Sequence, residues 1–162
     1  MRAGGIITHG SAVFFILMRR ATRIARAGSW VVGEKTDDLT LDYDHRHRRR
    51  LRVTTLAGAD ILLDFPEAVH IKQGDALILE DGGYIQIHAK TETLLEIRAN
   101  DHAALVKLAW YLGNRHLAVQ FCPGTLRILD DHVIAEMVLS LGGSVEKIMA
   151  PFDPESGAYD HG

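Results

Sequence analysis

The apolar residues between Glu92 and Phe152 change period in an order that leaves few folds open. "ETLLEIRA" (Glu92 to Ala99) has the composition of a strand. "NDHAALVKLAWYLG" (Asn100 to Gly113) shifts to helical spacing, with Leu105, Leu108, Ala109 and Leu112 on one stripe. Asn100 or Asp101 can cap its first turn, and Gly113 can stop its last. "HLAVQF" reads as a strand beginning near His116, Pro123-Gly124 as a turn, and "TLRIL" as a strand. "DDHVIAEMVLSLGG" is a second helix, capped by Asp130 or Asp131 and stopped by Gly142, and "SVEKIMAPF" closes as a strand. The order β-α-β-β-α-β predicts a ferredoxin-like split βαβ, with both helices on one sheet face and the other face open.

The residues before Lys90 follow a different rule. "RLRVTTLAGADILLDF" (Arg50 to Phe65) is two β-rich runs around "AGAD", and "DALILEDGGYIQIHA" (Asp75 to Ala89) repeats that pattern around Asp81-Gly82-Gly83. Both are hairpin signals. "SWVVGEK" is expected to add a strand. The chain therefore reads as α+β: a small antiparallel β domain over 18–90, then a ferredoxin-like domain over 91–152 and a flexible tail over 153–162. "AVFFILM" (Ala12 to Met18) is too short to span a bilayer and is followed at once by Arg19 and Arg20. Residues 1–17 are expected to be a poorly structured extension ahead of a start at Met18.

Charge and cysteine usage narrow the function. A net charge of −3 argues against a general nucleic-acid binder. No aromatic residue is expected on the open sheet face to stack RNA bases. Cys122 is the single cysteine, so no intrachain disulfide forms, and a reducing cytoplasmic setting is the simpler expectation. Neither a nucleophile elbow nor a phosphate-binding glycine loop nor a zinc-protease helix is present in the sequence.

What remains is the corner "GNRH", where an amide, a guanidinium and an imidazole follow the first helix. Alternation along "HLAVQFC" directs Leu117, Val119 and Phe121 onto the helices and His116, Ala118, Gln120 and Cys122 toward the open face. Asn114 tolerates a left-handed conformation, and Arg115 can answer the helix's terminal carbonyls. An exposed neutral imidazole at His116 can bind a transition metal, and a two-fold dimer brings two copies of it together. The plainer reading of such a histidine is a capping or packing residue. Cys122, roughly 20 Å further along an extended strand, is a thiol rather than a co-ligand. His45 and His47 share a face if "DHRHRRR" is a strand, but the flanking arginines repel a cation, so that stretch reads as a solvated basic edge or a docking patch. His70, His88 and His102 have no ligand pattern around them.

"LGNRH" and "PFDPESGAY" (Pro151 to Tyr159), with "YDHRHRRR" and "DHVIAEM", resemble the UreE family of urease accessory proteins, which are nickel metallochaperones. The likeness runs from about Met18 to Tyr159. It implies a peptide- or partner-binding β domain over 18–90 joined to a ferredoxin-like metal-binding domain, a homodimer, and no catalysis of its own. It further implies that His116 is the central ligand for Ni2+, paired with its copy, and that the ion is delivered to apo-urease with other accessory proteins, including a GTPase. Zn2+ or Cu2+ suit the same donors. Where some members carry a histidine pair, this chain has "LDDHV", so His132 is an auxiliary candidate beside its reading as a first-turn residue between acidic caps. Where some carry a long histidine-rich tail, this chain has only His161, which can reach back to His116. Such a chain holds about one ion per dimer, and releases it as pH falls through about 6.5, where imidazole protonates. The alternative enzyme reading is a small phosphatase using Arg115 for phosphate and Asn114 for a water.

Overall fold

The computed structural model describes residues 18–155. Six strands form the first sheet: β1 (Arg19–Ala25), β2 (Lys35–Leu41), β3 (Arg50–Thr54), β4 (Asp60–Asp64), β5 (Ala76–Leu79) and β6 (Tyr84–Ala89). Their order is β2-β6-β5-β1-β4-β3. Both expected hairpins are present, β3 with β4 and β5 with β6. In the second hairpin Gly82 and Gly83 have φ of 92° and 98°, a conformation that glycine alone adopts without strain.

The sheet is mixed rather than purely antiparallel, because β1 runs parallel to β4 and β2 parallel to β6. One of these parallel pairs comes from β1, a central strand that the sequence hides. In "RRATRIA" Ala21 is the one fully buried residue, and Arg19 and Arg20 reach carboxylates on neighbouring strands and turns. Arg19 forks onto Asp81 at 2.7 and 2.9 Å, and Arg20 reaches Asp64 at 2.6 Å. These arginines hold the carboxyls of Asp81 and Asp64 below the usual carboxylate value. "SWVVGEK" departs from expectation as well: Val32–Glu34 form a 3-10 turn and the strand begins at Lys35. The core beneath the sheet is built from Leu39, Ile61, Leu63, Leu77, Ile85 and Ile87, with Phe65 and Ile71.

The second unit has the expected element order. It comprises β7 (Thr91–Arg98), α1 (His102–Asn114), β8 (Gln120–Cys122), β9 (Thr125–Leu129), α2 (His132–Ser140) and β10 (Ser144–Pro151). The strand order β10-β7-β9-β8 places the first and last strands side by side, as a split βαβ requires. Leu108 and Leu112 of α1, with Ile134 and Val138 of α2, pack onto Leu95, Ile97, Leu126 and Ile128. Asp101 and Asp131 are the N-caps: Asp101 accepts from the Ala104 N–H, and Asp131 from those of Val133 and Ile134.

Strand β8 is much shorter than "HLAVQF" suggested. Leu117 to Val119 lie outside any strand, so alternation cannot assign the face of His116. Phe121 pairs with Leu126 but is 56% exposed, because β8 is the sheet edge and three residues long. On the open face Glu96 is buried between Arg98 and Arg127, receiving Arg127 Nε at 2.9 Å. No helix among the described residues is long and apolar enough to cross a membrane.

Candidate metal centre

Helix α1 runs one residue past Gly113, to Asn114. Arg115 follows as its C-cap, its backbone N–H donating to the Leu112 carbonyl at 3.1 Å. The His116 N–H then donates to Gly113 O at 2.9 Å, and the Leu117 N–H turns back to Leu112 O at 3.4 Å. This pair of bonds is the Schellman arrangement, which needs a left-handed residue just past the cap. That residue is His116, with φ of 56°, and it is the only non-glycine residue with positive φ among those described. Asn114, the residue whose side chain best suits that conformation, stays helical.

The geometry lifts His116 off the helix and leaves it exposed. It lies at the negative end of the α1 dipole, beside carbonyls of the last turn, where a cation is favoured and an anion is not. Asn114 and Arg115 are exposed on the same turn.

Of the other candidate ligands, His132 is exposed at the first position of α2, directly after its cap. A helix N-terminus carries partial positive charge and opposes a bound cation. His161 lies outside the described residues, as do His9 and the whole of 1–17. Cys122 is a half-buried free thiol in β8 and shares no strand with His116. Among the described residues, no three His, Cys, Asp or Glu side chains come together to hold a metal ion. One protomer's described residues therefore offer only part of a coordination shell around His116.

The stretch "DHRHRRR" departs most from its reading. His45–His47 is a 3-10 turn, so the two histidines do not share a strand face, and Arg46 between them is fully buried. Arg46 Nη1 donates to Ile71 O at 3.1 Å and meets Asp153 at 3.4 Å, and its Nη2 donates to Phe152 O. His45 instead pairs with Asp42 at 2.7 Å, and His88 with Asp38 at 2.7 Å. His47 stacks on His70 with ring centroids 5.3 Å apart and 15° between planes. Burial, then the charge of His47, lowers the pKa of His70 from its ordinary value of 6.5.

Arg46 belongs to a seam between the two sheets that sequence patterning missed. Tyr43 donates its backbone N–H to Glu92, and its ring packs edge-on against Phe152 at 5.1 Å. Past Phe152 the chain runs back toward the start of β8. Asp153 N–H donates to Gln120 Oε1 at 3.1 Å, and Glu155 N–H donates to Val119 O at 3.0 Å. The motif "PFDPESGAY" was the available signal, since its Phe152, Asp153 and Glu155 make these contacts.

Comparison with known proteins bears on the whole chain. Residues 17–90 match the family model described as the UreE urease accessory protein N-terminal domain, and residues 92–162 match that of its C-terminal domain. A urease accessory protein UreE from Bradyrhizobium sp. (strain ORS 278) is 52% identical over 142 residues, which is 88% of this chain and 67% of the relative. One from Rhodobacter capsulatus is 42% identical over 146 residues, 90% of each chain.

Proposed function

Because the chain belongs to the UreE family of urease accessory proteins, with a role in urease maturation, we propose that it binds nickel ions and delivers them to apo-urease. It carries the ion on His116, works in the cytoplasm as a homodimer, and performs no catalysis of its own. The observation that carries this reading is the left-handed, exposed His116 at the C-terminal end of α1. Strained backbone at a non-glycine residue is kept where the side chain has a task, and the helix dipole at this end favours a cation.

A single imidazole is a weak site, so the ion needs further donors. A two-fold dimer supplies the second His116. The α1 surface supports such pairing: Val106 and Trp110 are 53% and 62% exposed, one turn apart, on the side away from Leu108 and Leu112. This apolar stripe runs toward the helix end that bears His116, and burying it against its copy removes it from water. His161 is the proposed additional ligand. It lies six positions after Glu155, a reach of at most about 22 Å for extended chain. His132 is the weakest ligand of the proposal, and its loss changes affinity little.

Few and exposed ligands suit a carrier, because the ion must leave again for apo-urease. Delivery proceeds with the other urease accessory proteins, including a GTPase. Zn2+ and Cu2+ compete for the same donors in vitro, with copper binding most tightly. The phosphatase alternative loses ground on electrostatics. Arg115 and Asn114 lie at a helix C-terminus, where terminal carbonyls repel a phosphate.

The test is a calorimetric nickel titration with light scattering on the same sample. The expected result is a dimer binding about one ion with micromolar-range affinity, about −8 kcal/mol. A monomer throughout the titration, or tight binding untouched by His116→Ala, overturns the proposal.

A further inference from the structure

The side chain of Arg115 is unspent. Its backbone N–H caps α1 by donating to Leu112 O at 3.1 Å. Its guanidinium takes part in no hydrogen bond or ion pair among the described residues, so the answer to the helix's terminal carbonyls comes from the backbone alone. Arg98 and Arg127 of the same unit differ, since they share the buried carboxylate of Glu96. Glu155, whose N–H donates to Val119 O at 3.0 Å, does not pair with Arg115 either.

An unpaired cation next to a metal ligand has an electrostatic consequence. Arg115 and His116 are consecutive, with Cα atoms about 3.8 Å apart, and both are exposed. A guanidinium on one and Ni2+ on the other lie on the order of 10 Å apart, one Debye length at 0.1 M salt. The two charges repel. No carboxylate stands between Leu112 and Val119 to offset them. The terminal carbonyls of α1 attract the ion, so the corner applies two opposed fields to it. In a two-fold dimer an ion shared by both His116 rings meets each field twice.

We propose that Arg115 sets the strength of nickel binding: its free guanidinium opposes the ion on His116 and holds the affinity down to where the ion can be passed on. This rests on the reading of His116 as the ligand. Arg115 touches no metal. It acts through space, and its effect follows its charge rather than its shape.

The experiment is a calorimetric titration of the full chain with Ni2+ alone as the probe, at low, moderate and high salt. Arg115→Gln binds nickel about threefold more tightly than wild type at about 0.1 M salt, and more tightly still at about 0.01 M. The two bind equally at about 1 M, where the Debye length is about 3 Å. Arg115→Lys keeps the charge and the wild-type affinity throughout. A guanidinium that serves only the α1 dipole predicts a lower urea midpoint in Arg115→Gln with nickel affinity unchanged. Unchanged or weaker affinity in that variant at about 0.01 M salt overturns the proposal. So does a tightening that persists at about 1 M, or one that Arg115→Lys reproduces. His116→Ala separates the two failures. Tight nickel binding retained there overturns the metal reading and this proposal with it, whereas tight binding lost there but indifferent to Arg115→Gln overturns only the role of Arg115.

Discussion

Helices α1 and α2 end in the same backbone turn with different residues at its critical position. At the end of α2, Gly142 has φ of 82°, its N–H returns to Leu139 O, and the Gly143 N–H returns to Val138 O at 3.0 Å. At the end of α1 the corresponding bonds come from His116 and Leu117, and the left-handed residue is His116 at φ of 56°. Glycine takes this conformation without loss, while a residue with a Cβ is disfavoured by about 1–2 kcal/mol. The α2 terminus is what folding alone selects. On the proposed reading, the α1 terminus gives up stability to present an imidazole, which is what would set a functional helix end apart from a structural one.

The largest effect that tests this contrast is on nickel. His116→Ala is expected to weaken nickel binding by about 100-fold, the upper range for loss of metal-site support, while the fold persists. Titration of the variant with circular dichroism alongside checks both halves. Weak, unchanged nickel binding in wild type and variant alike breaks the contrast.

The converse change comes next. Gly142→His places a histidine in the α2 turn and is expected to destabilise the protein by about 1–2 kcal/mol without creating a nickel site. Gly143→Ala is expected to cost about 1–3 kcal/mol by overpacking, because its Cβ would lie 2.7 Å from Val138 Cγ1 and 2.9 Å from Leu108 Cδ1. Urea unfolding measures both. A neutral Gly142→His would mean that the left-handed position does not discriminate.

A smaller effect keeps acid release of nickel apart from acid loosening of the seam. His70 has its pKa lowered, first by burial and then by the charge of His47. Folded His70 therefore resists a proton that the unfolded chain accepts. Its contribution to stability is intact above its ordinary value of 6.5 and declines as pH falls from there toward the lower folded value. Arg46 and Lys72 oppose the proton as well, and Asp153 favours it. Urea midpoints between pH 7.5 and 5.5 are expected to fall in wild type, and to fall less in His70→Gln. Equal slopes contradict this role for His70. Asp64 and Asp81, lowered chiefly by Arg20 and Arg19, add their own loss only as pH falls below about 4.

The second unit was legible in the sequence because each helix carries an apolar stripe and an aspartate cap, and because β9 alternates buried and half-buried residues while β7 carries a buried, mostly apolar run. The first was legible where glycine turns bound the hairpins. It was not legible at β1, where four charged or polar side chains in seven residues mask a central strand whose burial falls on Ala21. The corner was half legible. The polar triplet after Gly113 marked the place, but Gly113 was read as the stop when the helix continues through it. Local propensity favoured Asn114 for the left-handed position, and the hydrogen bonds that select His116 are visible only in three dimensions. Arg46 was hidden for another reason. Its partners lie 25 and 106 positions away, so no local pattern separates it from the exposed arginines that follow it.

His116→Gly tests the central claim most directly, because it removes the imidazole and the backbone strain together. Thermal unfolding and nickel titration on one preparation are expected to move in opposite directions: the midpoint rises by a few degrees, corresponding to about 1 kcal/mol, and tight nickel binding is lost. A variant that keeps its nickel affinity, or one that loses stability along with it, contradicts the account of His116 as an imidazole held out at the expense of the fold.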